Sequence, residues 1–212
     1  MIERLIEASA PLSGDGDLLL ASKSETRARL LAGAGLAFRQ EPASIDEAAL
    51  KDVLKAAGVT GGQAALALAE RKAALLSDRQ RAAFVIGADQ ILVCDNLWYD
   101  KPADLAAARA QLLALRNRSH RLHAAVCVAR GGAILWRHVA QARLTMRDFS
   151  TAFLDRYLAA AGEAVLSSVG AYQIEGLGAQ LFSAVAGDGF AILGLPLIPL
   201  LAFLRENGVV QR

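Results

Sequence analysis

From residue 18 the chain alternates between apolar runs and helical spacing. LLLA at 18–21 has no polar position, as in a strand buried on both faces. SETRARLLAGA at 24–34 changes to helical spacing, with Leu30 and Leu31 on the inward stripe and Gly33 and Gly35 at the stop. A second strand is expected at 37–42, and helices at 46–57 and 63–76 are separated by Gly58, Gly61 and Gly62. AAFVIGAD at 82–89 is again continuously apolar until it stops at a carboxylate. That predicts a central strand ending at an open edge, with a hairpin following through ILVCDNLWY. An amphipathic helix is expected at 103–116, then two long antiparallel strands about Gly131 and Gly132. A helix at 150–161 opened by Ser150, a strand pair at 180–185 and 190–193 about Gly187, Asp188 and Gly189, and a closing helix at 196–206 complete the pattern.

Strand-helix alternation mixed with hairpins predicts an α/β fold, a mixed sheet flanked by helices, and excludes a pure doubly wound topology. The 212 residues suit one large domain or two small lobes, and no linker is long enough to separate independent domains. Residues 60–62 and the glycines of 170–178 are the places where two lobes would meet.

Composition narrows the function classes. Apolar residues make up 54% and charged residues 21%, a globular balance that excludes extensive disorder. A net charge of +2 gives no broad field for nucleic acid or an anionic membrane, so neither is an expected partner and any anion must be met by local groups. The start, MIERLIEASA, carries Glu3, Arg4 and Glu7 where a signal peptide needs an unbroken apolar stretch, so no export is expected. The most apolar segment, 190–204, is interrupted by Gly194, Pro196 and Pro199 and falls short of the ~20 residues of a spanning helix, which assigns it to the core. Cys94 and Cys127 lie in apolar strand-like runs and read as small buried hydrophobes in a reducing cytoplasm.

The stretch at 17–31, DLLLASKSETRARLL, carries the first candidate chemistry. With Ser24 as the cap, Arg27 occupies the third helical position, where a capping box places Glu or Gln. A cation there opposes the helix dipole unless an anion lies nearby. Lys23, Arg27 and the free N–H groups behind Ser24 together suit phosphate; the alternative is a solvated face on which Glu25 offsets Arg27. No GxxxxGK[ST] or GxSxG motif is present. Asp46 with Glu47, and Asp89, are carboxylates of the kind that hold Mg²⁺ jointly with substrate phosphate, or else a helix cap and a turn residue. Lys72 and Lys101, taken singly, read as surface charges. Glu175 lies in AYQIEGLGAQLF, where small residues let a backbone approach a ligand. His120 and His123 fall on opposite faces of a strand and His138 has no partner at ligand spacing, so zinc is not indicated.

Taken together and in order, these pieces resemble the Maf family of nucleoside triphosphate pyrophosphatases from Leu18 to Val209. The resemblance rests on LLLASKSETRARLL, SIDE (44–47), LAERKA (68–73), VIGADQ (85–90), DKP (100–102), GAYQIEGLGAQL (170–181) and ILGLPL (192–197). It implies a single Maf-like domain over 1–212, with a Maf/ITPase-like mixed twisted sheet and two lobes around a central cleft. The implied reaction is hydrolysis between the α- and β-phosphates of a nucleotide, giving a monophosphate and pyrophosphate, with a divalent cation, Mg²⁺ or Mn²⁺. The family's house-cleaning role on noncanonical nucleotides, its link to septum formation and a possible homodimer come with it.

By matching motifs, Ser22, Arg27, Glu47, Lys72, Asp89, Lys101 and Glu175 would line the cleft, with Ser24, Lys23 and Gln90 beside them on the substrate. Asp89, with Glu47 on the metal, would be the base or metal-linked carboxylate that orients water. Arg27, Lys72 and Lys101 would meet the charge that migrates toward pyrophosphate, Arg27 with two parallel hydrogen bonds. Where the family usually has Pro-Arg-Arg, this chain has Glu25, Thr26 and Arg27, one arginine fewer. Gln90 and Glu175 resemble the branch acting on 7-methyl-GTP rather than the one preferring dTTP and UTP. A catalytically weak nucleotide-binding protein acting on septum formation is the alternative from another class.

Overall fold

The computed structural model describes residues 17–211; the stretch MIERLIEASA lies outside them. The elements are β1 (Leu18–Leu20), α1 (Glu25–Gly33), β2 (Arg39–Gln40), α2 (Glu47–Ala56), α3 (Gly61–Arg79), β3 (Phe84–Cys94), β4 (Leu97–Tyr99), α4 (Leu105–Leu115), β5 (Ser119–Arg130), β6 (Ala133–Met146), α5 (Thr151–Ala161), β7 (Phe182–Ala186), α6 (Gly189–Ile192) and α7 (Leu197–Glu206), with 3₁₀ turns at Gly162–Ser167 and Leu177–Leu181. They build a seven-stranded sheet in the order β2-β1-β3-β5-β6-β7, with β4 paired to β3. The sheet is mixed: β1 runs parallel to both β2 and β3, while β3/β4 and β6/β7 are antiparallel.

The chain divides into two compact units. One holds the described residues up to Gln90, Ala124–Ala140 and those from Asp188; the other holds Ile91–His123 and Gln141–Gly187. The division therefore falls within strands, at 90/91 and 123/124 for example, and not at residues 60–62 or within 170–178, where the glycines suggested it. Those glycines serve local geometry instead: Gly170 has φ +79°, and a Cβ on Gly178 would come within 2.4 Å of the Gln173 carbonyl oxygen.

In the first unit Leu18, Leu20, Leu31, Ile86, Val126, Val128, Leu200 and Leu204 share one core. Leu195 and Leu197 lie in it too, as expected of the 190–204 segment, and among the described residues no helix is long and apolar enough to cross a membrane. The second unit buries Leu112 and Leu115 of α4, Leu122 of β5, Leu144 of β6 and Leu154 of α5.

Three expectations are corrected. The strand expected to end at Asp89 continues to Cys94, because residues 91–94 remain apolar and mostly buried. It stops where Asp95 (φ 48°) and Asn96 (φ 64°) form the two-residue turn into β4, a conformation these side chains tolerate. The helix expected at 63–76 begins at Gly61, because Thr60 and Gln63 complete a reciprocal capping box and absorb two glycines into the first turn. Residues 190–193 are not a strand. The Asp188 carboxylate accepts from the N–H groups of Phe190 (3.3 Å) and Ala191 (2.9 Å) and opens the short helix α6.

Candidate functional site

The site grows from the junction of β1 and α1. Ser24 caps α1 by accepting from the Arg27 N–H at 3.4 Å, while its own N–H donates to Ser22 Oγ at 3.2 Å. This places Arg27 one turn into the helix and directed inward, only 9% exposed. Its Nε donates to the Gly194 carbonyl at 2.8 Å, and its Nη1 to Ser22 Oγ at 3.1 Å and the Ala88 carbonyl at 3.0 Å. One guanidinium thus ties the β1–α1 loop, strand β3 and the segment after α6. Nη2 is the nitrogen left without a hydrogen bond among the described residues, so the parallel pair expected for phosphate is not offered on the Nε edge. Burial draws the Arg27 guanidinium below its ordinary value, with the charges of Asp89 and Glu47 acting in the opposite direction.

The second part comes from α3 and β3. Gly87 has no side chain, and a Cβ there would fall 2.1 Å from the Ala69 carbonyl oxygen and 2.8 Å from Ala73 Cβ. The absence of that atom lets α3 lie directly on β3. Two residues further along the same face of β3 comes Asp89, and Lys72 of α3 reaches it. Lys72 Nζ stands 2.6 Å from Asp89 Oδ1 and 2.9 Å from Glu47 Oε1. Lys72 and Asp89 are buried, with side chains 8% and 7% exposed, whereas Glu47 is 41% exposed.

Asp46 and Glu47 were equal candidates in sequence, and their positions separate them. Asp46 caps α2 by accepting from the Ala49 N–H at 3.0 Å, and Glu47, the first residue of the helix, turns to Lys72. Burial works to raise the Glu47 carboxyl, but the charge and hydrogen bond of Lys72, with Lys51 and Arg27 farther off, outweigh it and hold it below the usual carboxylate range. Lys72 is therefore no surface charge. Two cations, Arg27 and Lys72, stand against two carboxylates, Asp89 and Glu47, so the cluster balances its own charge.

Gln90 has a holding role. Its Nε2 donates to the carbonyls of Ala191 (2.9 Å) and Ile192 (3.0 Å), fixing α6 beside β3. Lys23 is exposed at the loop ahead of α1. The structure thus brings Ser22, Ser24, Arg27, Glu47, Lys72, Asp89 and Gln90 into one unit. Lys101, exposed ahead of buried Pro102, and Glu175, in an exposed turn, belong to the other unit. The histidines take structural places: His120 Nε2 lies 2.7 Å from the Tyr172 hydroxyl, and His138 stacks on Trp136. Sequence reasoning missed the carbonyls of Ala88 and Gly194 as partners of Arg27. The cap signal of Asp188, a carboxylate directly ahead of the short apolar helix α6, was the available clue to the segment that carries the second of these.

A buried ammonium between two carboxylates and a buried arginine at a helix start set fixed charges of both signs in one unit, an arrangement suited to polar, charged groups. Residues 17–207 match the sequence model of the family described as Maf-like protein. A relative from Paramagnetospirillum magneticum, called nucleoside triphosphate pyrophosphatase, is 57% identical over 90% of this chain and 98% of its own length. One from Rhodospirillum rubrum with the same name is 53% identical over 91% and 96%. A protein of Rhizobium meliloti called 7-methyl-GTP pyrophosphatase is 47% identical over 92% and 98%.

Proposed function

The chain belongs to the Maf-like protein family, and from that membership we propose that it is a nucleoside triphosphate pyrophosphatase. Water adds at the α-phosphorus, the bond to the bridging oxygen breaks, and a nucleoside monophosphate and pyrophosphate leave. The observation that carries this reading is the Lys72 ammonium held between Asp89 and Glu47, 2.6 and 2.9 Å away.

Lys72 occupies Oδ1 of Asp89, which leaves Oδ2 to accept a proton from the attacking water and fix its direction. Ser22 Oγ already accepts two hydrogen bonds, so its own O–H remains as a donor for phosphate. Arg27 Nη2 and Lys23 supply further donors for charge that moves toward the departing pyrophosphate, and the family resemblance would add Lys101 to them. Thr26, where the family usually carries an arginine, contributes no charge.

A hard divalent cation, Mg²⁺ or Mn²⁺, takes one or two protein carboxylates and fills its remaining positions with water and phosphate oxygens; Glu47 and Asp89 would hold it, through the carboxylate oxygens that Lys72 does not occupy, with Asp89 then orienting the water as a metal-linked carboxylate. When bound it would neutralise triphosphate charge that the balanced Arg27, Lys72, Asp89 and Glu47 set leaves uncovered.

For the base, 7-methyl-GTP-like nucleotides are the favoured substrates. Gln90 spends its amide on Ala191 and Ile192; the resemblance to the 7-methyl-GTP branch supports Glu175 as the side chain that would accept from a guanine's N1–H and exocyclic amine. Two free buried cysteines suit a reducing cytoplasm.

A panel of 7-methyl-GTP, GTP, dTTP and UTP, read for pyrophosphate and orthophosphate separately, tests the proposal. Pyrophosphate without orthophosphate, lost on adding EDTA and highest on 7-methyl-GTP, is the expected result. Sequential orthophosphate release would overturn the cleavage site, and preference for dTTP or UTP would overturn the base assignment alone.

A further inference from the structure

The second unit carries a polar groove of about 440 Å³, lined by Val93, Asp95, Asn96, Arg118, Ser119, Arg121 and Arg143 as well as His120. None of its arginines takes part in the cluster around Asp89. The backbone bond from Met146 N to the Arg118 carbonyl (2.9 Å) and the hydroxyl contact of Ser119 with Thr145 (2.7 Å) fix how β5 and β6 face each other there. Continuing that antiparallel register by two residues sets Arg121 across from Arg143. Arg121 and Arg143 both line the groove and both are exposed, so they stand on the same face of this strand pair.

Like charges directly across a strand pair destabilise the sheet. Among the described residues neither Arg121 nor Arg143 forms an ion pair with a carboxylate, and both are exposed. Arg118 does have a partner, Asp95 at 2.8 Å, placed by the Asp95–Asn96 turn. Three guanidinium groups against one carboxylate leave an excess of two positive charges around a groove whose volume lies within the range of small-ligand sites. The His120 ring turns to the other side of β5, toward Tyr172, and contributes no charge.

We propose that this groove binds a small phosphorylated anion, with Arg121 and Arg143 as a facing pair of forks on its oxygens and Ser119 as a neutral donor beside them. Guanidinium groups match phosphate with two parallel hydrogen bonds each, and an anion between them converts a repulsive strand pair into a bridged one. The chain's net charge of +2 offers no wider field to support a nucleic-acid track along the groove. The ligand chemistry is shared by inorganic phosphate and by pyrophosphate, the product of the proposed reaction.

The test titrates each anion separately into the full chain, following the backbone amide resonances of Ser119, Arg121 and Arg143 and counting sites by calorimetry. Arg121→Gln with Arg143→Gln should weaken binding at these resonances at least tenfold, and Arg121→Lys with Arg143→Lys should fall between the two. Pyrophosphate binding tenfold tighter than phosphate identifies the product as ligand; equal affinity identifies phosphate. Because these arginines lie outside the cluster around Asp89, kcat/KM for the triphosphate without added pyrophosphate should stay within about twofold. If the double Gln variant binds both anions like wild type, no such site exists. If its kcat/KM falls in step with its anion affinity, the groove belongs to the substrate site and the separate site is overturned. Single Arg143→Gln gives the same readout should the double variant not fold.

Discussion

Lys72 Nζ and Asp89 Oδ1 lie 2.6 Å apart, brought together from a helix and a strand by the missing side chain at Gly87. Asp89→Asn leaves Lys72 its second partner, Glu47, and so removes chemistry more than stability. Pyrophosphate release should fall by about 10²–10⁴-fold, the usual loss on removing a general base, with little change in unfolding. Lys72→Met removes the shared cation and strands two carboxylates, one of them buried. It should cost stability as well, toward the low end of about 3–5 kcal/mol since Glu47 reaches solvent. Denaturant unfolding beside a pyrophosphate assay separates the two effects. An Asp89→Asn enzyme within a few-fold of wild type would remove Asp89 from the reaction.

Where a signal is local, the sequence reveals it. Ser24 caps α1, Asp46 caps α2 and Ser150 caps α5, each at the expected place, because a cap needs only its own turn. What depends on distant groups is hidden. Lys72 looks like a surface lysine until α3 is laid on β3, and the end of β3 could not be placed at Asp89 or Cys94 without knowing that Lys72 makes a buried carboxylate tolerable there. Arg27 was legible as an anomaly at its helix start. Its carbonyl partners, Ala88 and Gly194, lie 61 and 167 residues away and leave no local mark.

Arg27→Lys tests that tie. A lysine keeps the charge but cannot donate at once to Gly194, Ala88 and Ser22 from a planar group. Leaving one or two buried carbonyls unsatisfied costs about 1–3 kcal/mol each. At ~2–4 °C per kcal/mol for a chain of this size, Tm should drop by several degrees, even with no nucleotide present. An unchanged Tm with a raised KM would mean that Arg27 serves the ligand and not the fold.

Burial lowers the His120 pKa from 6.5 to about 4. As pH falls, the unfolded chain takes up this proton first, so the contribution of neutral His120 is complete above pH 6.5 and is lost progressively down to about 4. The contribution is on the order of a few kcal/mol. His123 is displaced in the same direction, by burial first and then by Arg121, and adds to the slope. Unfolding free energy measured from pH 7 to 4 should decline less steeply in His120→Gln, which keeps a neutral partner for Tyr172. Parallel curves for the two proteins would show that His120 does not carry this dependence.

Glu175→Gln addresses the base. If its carboxylate accepts from a guanine's N1–H and amine, the amide substitution weakens a hydrogen bond to a charged acceptor, an interaction worth about 1.5–3 kcal/mol. Discrimination is the ratio of kcat/KM values, so the ratio of 7-methyl-GTP to UTP should fall by roughly tenfold or more. UTP itself should lose little, because Arg27, Lys72 and Lys101 remain and a pyrimidine presents no equivalent donor pair. Glu175 is exposed, and denaturant unfolding of the variant measured beside the kinetics separates a loss of stability from a loss of recognition. Equal losses on both nucleotides would assign Glu175 to the phosphates or to the metal and remove the main support for a methylated guanine substrate.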